Sequence, residues 1–281
     1  MPAALPPLAP PIRRWRMPLL LRLTFLLHAA LLALLALDPS SWPWVLAGLA
    51  ANHALLTAVG LWPRSNWLGP NWTRLPPAAA ARGEIALTID DGPDPHVTPR
   101  VLDLLDRHGA RATFFCIGAR AARHPDLCRE IARRGHAVEN HSQHHRHHFS
   151  LLGLAGLRRE IGAAQDTLAG ITGRRPRFFR APAGLRNPFL DPALAGLGLQ
   201  LAAWTRRGFD TRETDPGVVC RRLLRDLAPG AILLLHDGHC ARTAAGSPVI
   251  LEVLPVLLEQ GSAAGLRFVT LSDALTEPSH E

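Results

Sequence analysis

Hydrophobic positions fall into two regimes along the chain. Residues 17–37 and 44–61 are nearly continuous apolar runs, and between residues 17 and 61 the only formal charges are Arg22 and Asp38. Each run approaches the ~20 residues that cross ~30 Å of hydrocarbon as a helix. They are separated by Asp38-Pro39-Ser40-Ser41, a turn sequence. A two-helix hairpin over 17–62 is therefore predicted. Beyond residue 83 the apolar runs are short, at 85–89, 112–117, 136–139, 177–179, 200–204, 231–235 and 266–270, and read as strands. Amphipathic, punctuated stretches lie between them. Thr98-Pro99 reads as an N-cap and first-turn proline before Val101-Leu102 and Leu104-Leu105, with Gly109 as the stop. Asp126, after Pro125, opens another helix that Gly135 closes.

Strand alternating with helix predicts an α/β domain with a parallel sheet covered by helices. An open doubly wound sheet and a closed barrel both fit that alternation. The polar residues help to choose, because they stand at the ends of several strands: Asp90-Asp91, Asn140-His141, Arg180, residues 205–210 and His236-Asp237. Side chains from many strand ends converge most easily at a barrel mouth, whereas an open sheet binds chiefly at its switch point.

Charge sharpens the division. Of the net +8, a share of +6 lies in residues 1–83, which hold seven arginines and one acid. Arg13, Arg14 and Arg16 precede the first run and Arg64, Arg74 and Arg82 follow the second, so both ends of the hairpin are expected on the cytoplasmic side. Six of the seven tryptophans cluster at the run ends and just beyond, as at a membrane–water interface. A signal peptide or single anchor is the rival reading, with a soluble helical subdomain behind it. Residues 1–16 read as a disordered basic tail, 17–62 as the anchor, 63–83 as an interfacial linker, 84–275 as the α/β domain and 276–281 as a tail. No basic stripe crosses the α/β domain, so no nucleic-acid partner is expected. At 47% hydrophobic and 19% charged the chain is not intrinsically disordered. Four dispersed cysteines make no disulfide framework. Cys116 and Cys128 read as core residues, and Cys240 is a weaker metal candidate than the residues below.

Candidate chemistry lies in three clusters. Thr88-Ile89-Asp90-Asp91-Gly92-Pro93 places two carboxylates where a strand meets a turn, so one can hold a metal and the other can address its water. The same residues would also serve as a plain turn. His141 and His145, four apart, would share one face of a helical turn with room for a single ion. A solvated loop accounts for His144, His147 and His148. Third, Arg180-Ala181-Pro182-Ala183-Gly184 precedes the apolar strand 232–235, which ends in His236, a candidate general acid.

Together these motifs resemble the polysaccharide deacetylase family, carbohydrate esterase family 4 with its NodB-homology domain, over about residues 84–275. The resemblance implies a distorted (β/α)7 barrel that removes N- or O-acyl groups from sugars with one divalent metal, zinc foremost, with cobalt, nickel or manganese as alternatives. It implies Asp91, His141 and His145 as metal ligands, Asp90 as general base, His236 as general acid and Arg180 as the arginine holding the base. Leu234 would line the acyl pocket. Two positions depart from the family pattern. Ala183 stands where the family commonly has Tyr, which leaves its backbone N–H for the oxyanion but removes a sugar platform. The segment Trp204-Thr205-Arg206-Arg207-Gly208-Phe209-Asp210 stands for an Asp-Trp motif, with Trp204 lining the pocket and Asp210 partnering Arg180.

The expectation is a two-pass protein of a bacterial-type inner membrane, with a cytoplasmic N-deacylase acting on a membrane-held or lipid-linked glycan. An extracytoplasmic peptidoglycan or exopolysaccharide deacetylase is the alternative, followed by a non-catalytic sugar-binding barrel. Sugar, acyl group and oligomeric state are not specified by the sequence.

Overall fold

The computed structural model describes residues 14–275, so the expected tail 276–281 and most of the expected basic tail, Arg13 included, lie outside the described residues. Among the described residues there are eight strands: β1 Glu84–Asp90, β2 Ala112–Cys116, β3 Ala137–Asn140, β4 Phe178–Phe179, β5 Gln200–Leu201, β6 Arg206–Arg207, β7 Ile232–His236 and β8 Arg267–Val269. Ten α-helices accompany them: α1 Leu19–Leu37, α2 Trp42–Leu61, α3 Pro77–Ala81, α4 Thr98–Arg107, α5 Gly118–Arg123, α6 Pro125–Arg133, α7 Leu154–Thr172, α8 Leu190–Gly196, α9 Pro216–Leu224 and α10 Val249–Ala263. All strand pairs are parallel, in the order β5-β4-β3-β2-β1-β7-β6, with β8 on the first half of β1.

Each predicted strand is present, β1 longer by one residue at each end, β3 and β7 shifted by one and the others shorter by one to three, and β6 is added. Its two arginines pair with Leu233 and Leu234 of β7. No apolar alternation marks such a strand, since neither of its residues is hydrophobic. Thr98 is not the N-cap expected of it. Its hydroxyl accepts from the Asp94 N–H and donates to the buried Asp237 carboxylate, which pins α4 to the end of β7.

Within residues 63–83, expected as a linker, Trp72, Arg74, Leu75 and Ala79 belong to the barrel wall, which corrects that reading for this stretch. Trp72 exchanges backbone bonds with the end of β5, its N–H donating to Leu201 and its carbonyl accepting from Ala203. Leu75 donates to Gly230, and Arg74 bridges to Ala231 just before β7. This segment fills the gap between β5 and β7, and Leu75 and Ala79 join the apolar interior. Its Trp- and Pro-rich composition hid the role, because an irregular stave satisfies its backbone bonds without an alternating pattern.

The two apolar helices start and stop close to the predicted runs. A 3-10 turn at Pro39–Ser41 joins them, with Asp38 accepting from the Ser40 N–H. Most of their large side chains face outward, Leu26 and Leu32 each 66% exposed and Trp44 76%. Helices of a soluble core would bury such residues. The end of α2 is docked on the barrel, where Arg186 donates its N–H to the Gly60 carbonyl. A Cβ at Gly60 would lie 2.4 Å from the Arg186 carbonyl, so only glycine permits that approach.

Candidate active site

Strand alternation aims the chemistry. Along β1, Ile85, Leu87 and Ile89 pack outward against the helices, while Ala86, Thr88 and Asp90 turn into the barrel. Along β7, Leu233 and Leu235 face out, leaving Ile232, Leu234 and His236 inside. Register then places Asp90 beside His236 on one neighbour and Phe115 on the other. The carboxylate and the imidazole therefore meet at the C-terminal mouth.

Arg180 lies beneath this layer, 1% exposed. Its guanidinium donates to Asp90 Oδ1 and to the Thr88 hydroxyl, both at 2.7 Å. The remaining N–H groups reach the Ala202 and Ala203 carbonyls. Its plane covers the Phe115 ring at 4.2 Å. Burial pulls the arginine pKa down and Asp90 pushes back. A guanidinium so fully donated fixes which Asp90 oxygen is committed and leaves Oδ2 for the cavity.

Asp91, His141 and His145 converge. Asp91 Oδ1 is 3.3 Å from Nε2 of both His141 and His145, and the three candidate ligand atoms lie within 4.8 Å of one another. His141 Nδ1 donates to the Arg180 carbonyl at 2.8 Å, which fixes the tautomer and leaves the Nε2 lone pair facing Asp91. Burial, with the neighbouring His141, holds His145 down to about 4, so its lone pair is free at neutral pH. Burial opposes ionisation of Asp91, but the neighbouring imidazoles of His141 and His239 hold its carboxyl well below the usual range. Asp91 Oδ1 is buried without a hydrogen-bond partner. One carboxylate oxygen and two imidazole nitrogens around such an orphaned acceptor fit a divalent metal, zinc included.

The histidine pair does not share a helical turn, as their spacing suggested. Asn140 Oδ1 accepts from the Ser142 N–H, and Ser142 Oγ accepts from the His145 N–H, folding a loop with φ +63° at Ser142 and +50° at His145. Side-chain bonds to the backbone replace the helix ladder. His144 turns away to Glu160.

Asp210 is not beside Arg180, as expected of it, but on His236. It accepts from the His236 N–H at 2.7 Å and meets His236 Nδ1 at 3.0 Å. The short β6 strand draws residues 206–210 along β7 and brings Asp210 to the strand's end. Burial favours neutral His236, yet Asp210, together with Asp90 and Asp91, outweighs it and the imidazole pKa is raised.

A cavity of about 310 Å³ opens over these groups, walled by Ala183, Trp204, Leu234 and the metal-site residues. Arg207, Phe209, Thr211 and Arg212 also line it and were not singled out from sequence, although the first two fall inside the segment that was. Arg120 was missed as well. It donates to the Asp91 and Gly238 carbonyls, a contact made by the packing of α5 that no local signal announces. Four of the six described non-glycine residues with positive φ, namely Asp91, His145, Ala183 and Phe209, line this cavity, and Ser142 lies next to His141. Such conformations cost of order 1–3 kcal/mol each and concentrate where function holds them.

Comparison with known proteins gives the same domain. The polysaccharide deacetylase family model matches residues 78–202. A peptidoglycan-N-acetylglucosamine deacetylase of Bacillus cereus is 34% identical over 198 residues, covering 68% of this chain and 87% of that relative. The corresponding enzyme PgdA of Listeria monocytogenes is 32% identical over 74% of this chain, which spans only 42% of that longer protein. A crystal structure of a peptidoglycan N-acetylglucosamine deacetylase superposes with a TM-score of 0.66 at 26% identity, over 73% of this chain and 92% of its own. The barrel thus has its counterparts among sugar deacetylases, and the chain belongs to the polysaccharide deacetylase family.

Proposed function

We propose that this protein is a metal-dependent N-deacylase that removes an acetyl or formyl group from an amino sugar of a membrane-held, lipid-linked glycan. The observation that carries the catalytic part is that Asp90, held by Arg180, and His236, held by Asp210, stand side by side at the strand ends next to the Asp91-His141-His145 cluster. Asp91, His141 and His145 would hold the ion. A divalent metal there acidifies water and polarises the acyl oxygen.

Asp90, its Oδ1 fixed by Arg180, takes the water proton on Oδ2 as the water oxygen attacks the acyl carbon. The Ala183 backbone N–H would donate to the developing oxyanion. His236, held by Asp210, then gives its proton to the departing sugar nitrogen. Leu234 and Trp204 exclude water around the acyl group. Because His236 must be protonated, activity falls as pH rises through its pKa. Asp210→Asn removes the largest of the interactions that raise this pKa. The basic limb of the kcat–pH profile should therefore move to lower pH, as acyl release across a pH series will read; an unmoved limb would reassign Asp210 to a structural role.

The membrane part is supported by the outward apolar faces of α1 and α2 and by the close packing of the anchor on the site. Pro63, two residues past α2, packs against Gly184, whose backbone φ is +74° and whose Cβ, if present, would lie 2.7 Å from the proline. The mouth thus sits beside the helix end. With Ala183 in place of a tyrosine, the mouth has no aromatic platform there for a long polymer. The arginines flanking both helices favour the cytoplasmic face. The names of the relatives favour a second reading, a peptidoglycan deacetylase outside the cytoplasm. Mass spectrometry of lipid-linked glycans from cells with wild-type protein or Asp90→Asn should show an N-acylated species accumulating in the variant. Alkaline phosphatase fused at the C-terminus should stay inactive. An active fusion, with the change found in peptidoglycan instead, would establish the second reading.

A further inference from the structure

A second cavity adjoins the first. It encloses about 760 Å³ between Trp62 and Arg64, directly after α2, and the face of α9. Trp204, Arg207 and Phe209 line both cavities, so the two share a wall. The second is lined by Arg64, Arg206, Arg207, Arg221, Arg222 and Arg225, and by no acidic residue.

Carboxylates reach some of these arginines from outside the lining. Asp226 meets Arg206 at 3.0 Å and Arg225 at 3.5 Å, and Glu213 meets Arg222 at 3.2 Å. Arg64, Arg207 and Arg221 form no ion pair among the described residues. Arg64 donates to the Thr205 carbonyl at 3.2 Å, which fixes its head at the cavity edge. Arg207 lies with its guanidinium 4.5 Å over the Phe209 ring and 5.2 Å over that of Trp204. Its Nε is buried with no hydrogen-bond partner. Arg207 is half-buried, and partly desolvated positive charge is costly unless an anion shares the space, while Arg64 and Arg221 are exposed at its edge. Guanidinium forks match phosphate oxygens two at a time, and aromatic faces hold the guanidinium plane in place.

We propose that this groove is a phosphate subsite, taking the one or two phosphate groups that link the sugar in the catalytic cavity to a membrane lipid. The proposal rests on the lipid-linked reading of the substrate and adds the group that is recognised. Arg207, on the shared wall, would contact the phosphate nearest the sugar. Arg64 and Arg221 would contact the phosphate nearer the end of α2, where the exposed Trp62 marks the way to the lipid chain.

The full chain in detergent, loaded with zinc, provides the test in two arms. In the first, inorganic pyrophosphate binding is measured by calorimetry, independently of turnover. Arg64→Gln with Arg221→Gln should weaken it by roughly 100-fold, about tenfold per arginine, while the paired Lys variants keep most of it. In the second, KM is compared for an N-acetylated sugar carrying no phosphate, a 1-diphosphate, or a 1-diphosphate on a polyprenyl chain. KM should fall at least tenfold on adding the diphosphate, and the Gln pair should erase that gain with kcat little changed. Equal KM for charged and uncharged sugars would overturn the proposal, even if anionic vesicles bind through the same arginines, since the groove would then read the bilayer. Pyrophosphate binding insensitive to the Gln pair would overturn it as well. Failure of every sugar to release acyl groups would instead strike the deacylase reading, leaving the pyrophosphate arm to be judged alone.

Discussion

Replacing Asp90 with asparagine should abolish deacylation while the metal stays bound and the barrel stays folded. The side chain is 3% exposed and its Oδ1 already accepts from Arg180 at 2.7 Å, a contact that asparagine can repeat with its amide oxygen. Removing one partner of a buried ion pair outright costs about 3–5 kcal/mol. An amide of the same shape loses the charge but keeps the hydrogen bond, so the cost should fall below that range. Turnover has no such compensation. An amide cannot take the proton from water, and loss of a general base costs about 10²–10⁴-fold. Asp90 Oδ2 is 3.8 Å from His141 Nε2, farther than Asp91, so the ion should keep its three ligands. Acetate release, metal content by mass spectrometry and a thermal melt on one preparation separate these effects. A near-wild-type rate would refute the assignment of Asp90 as base, and loss of metal would make it a ligand.

The sequence announces the site unevenly, and the reason is where each residue gets its position. Asp90 and His236 end the most apolar strands, so their place follows from runs such as Ile232-Leu233-Leu234-Leu235 and from simple alternation. Arg180 is legible by the same logic, one residue past β4. His141 and His145 are legible as a pair, but their geometry is not, because it comes from Asn140 and Ser142 bonding to the backbone. Asp210 could be named but not placed. Its partner depends on a two-residue strand of arginines that carries no hydrophobic signal. The largest departure from the sequence reading lies within residues 63–83. Their proline and tryptophan content suits an interfacial linker, yet Trp72, Arg74 and Leu75 complete the barrel wall through backbone bonds that composition does not encode. The consequence for function is direct, since the same segment carries Pro63 and Arg64 to the rim of the site.

His141→Ala should strip the metal and with it all activity, whereas His144→Ala should change neither. The contrast rests on placement, since the two residues lie three apart in the same loop. His141 is 2% exposed, its Nδ1 proton is given to the Arg180 carbonyl, and its Nε2 faces Asp91 Oδ1. His144 points to Glu160 on α7, away from the cavity. Losing an outer-shell partner of a metal site costs roughly 10–100-fold in affinity, so losing one of three protein ligands should cost more. Zinc affinity measured by chelator competition should therefore collapse for His141→Ala and stay at the wild-type value for His144→Ala. Added metal should restore little activity to the former, because Asp91 and His145 alone leave the ion loosely held. Truncating a buried side chain also leaves a cavity, so the melt of the metal-free proteins is the proper reference. In that state Asp91 has lost one of the imidazoles that favour its ionised form, and the gap in stability between the two variants should narrow once chelator is present. Undiminished zinc affinity in His141→Ala would remove this histidine from the metal site and leave Asp91 and His145 to be completed by another group, for which His239, 3.4 Å from Asp91 Oδ2, is the nearest available imidazole.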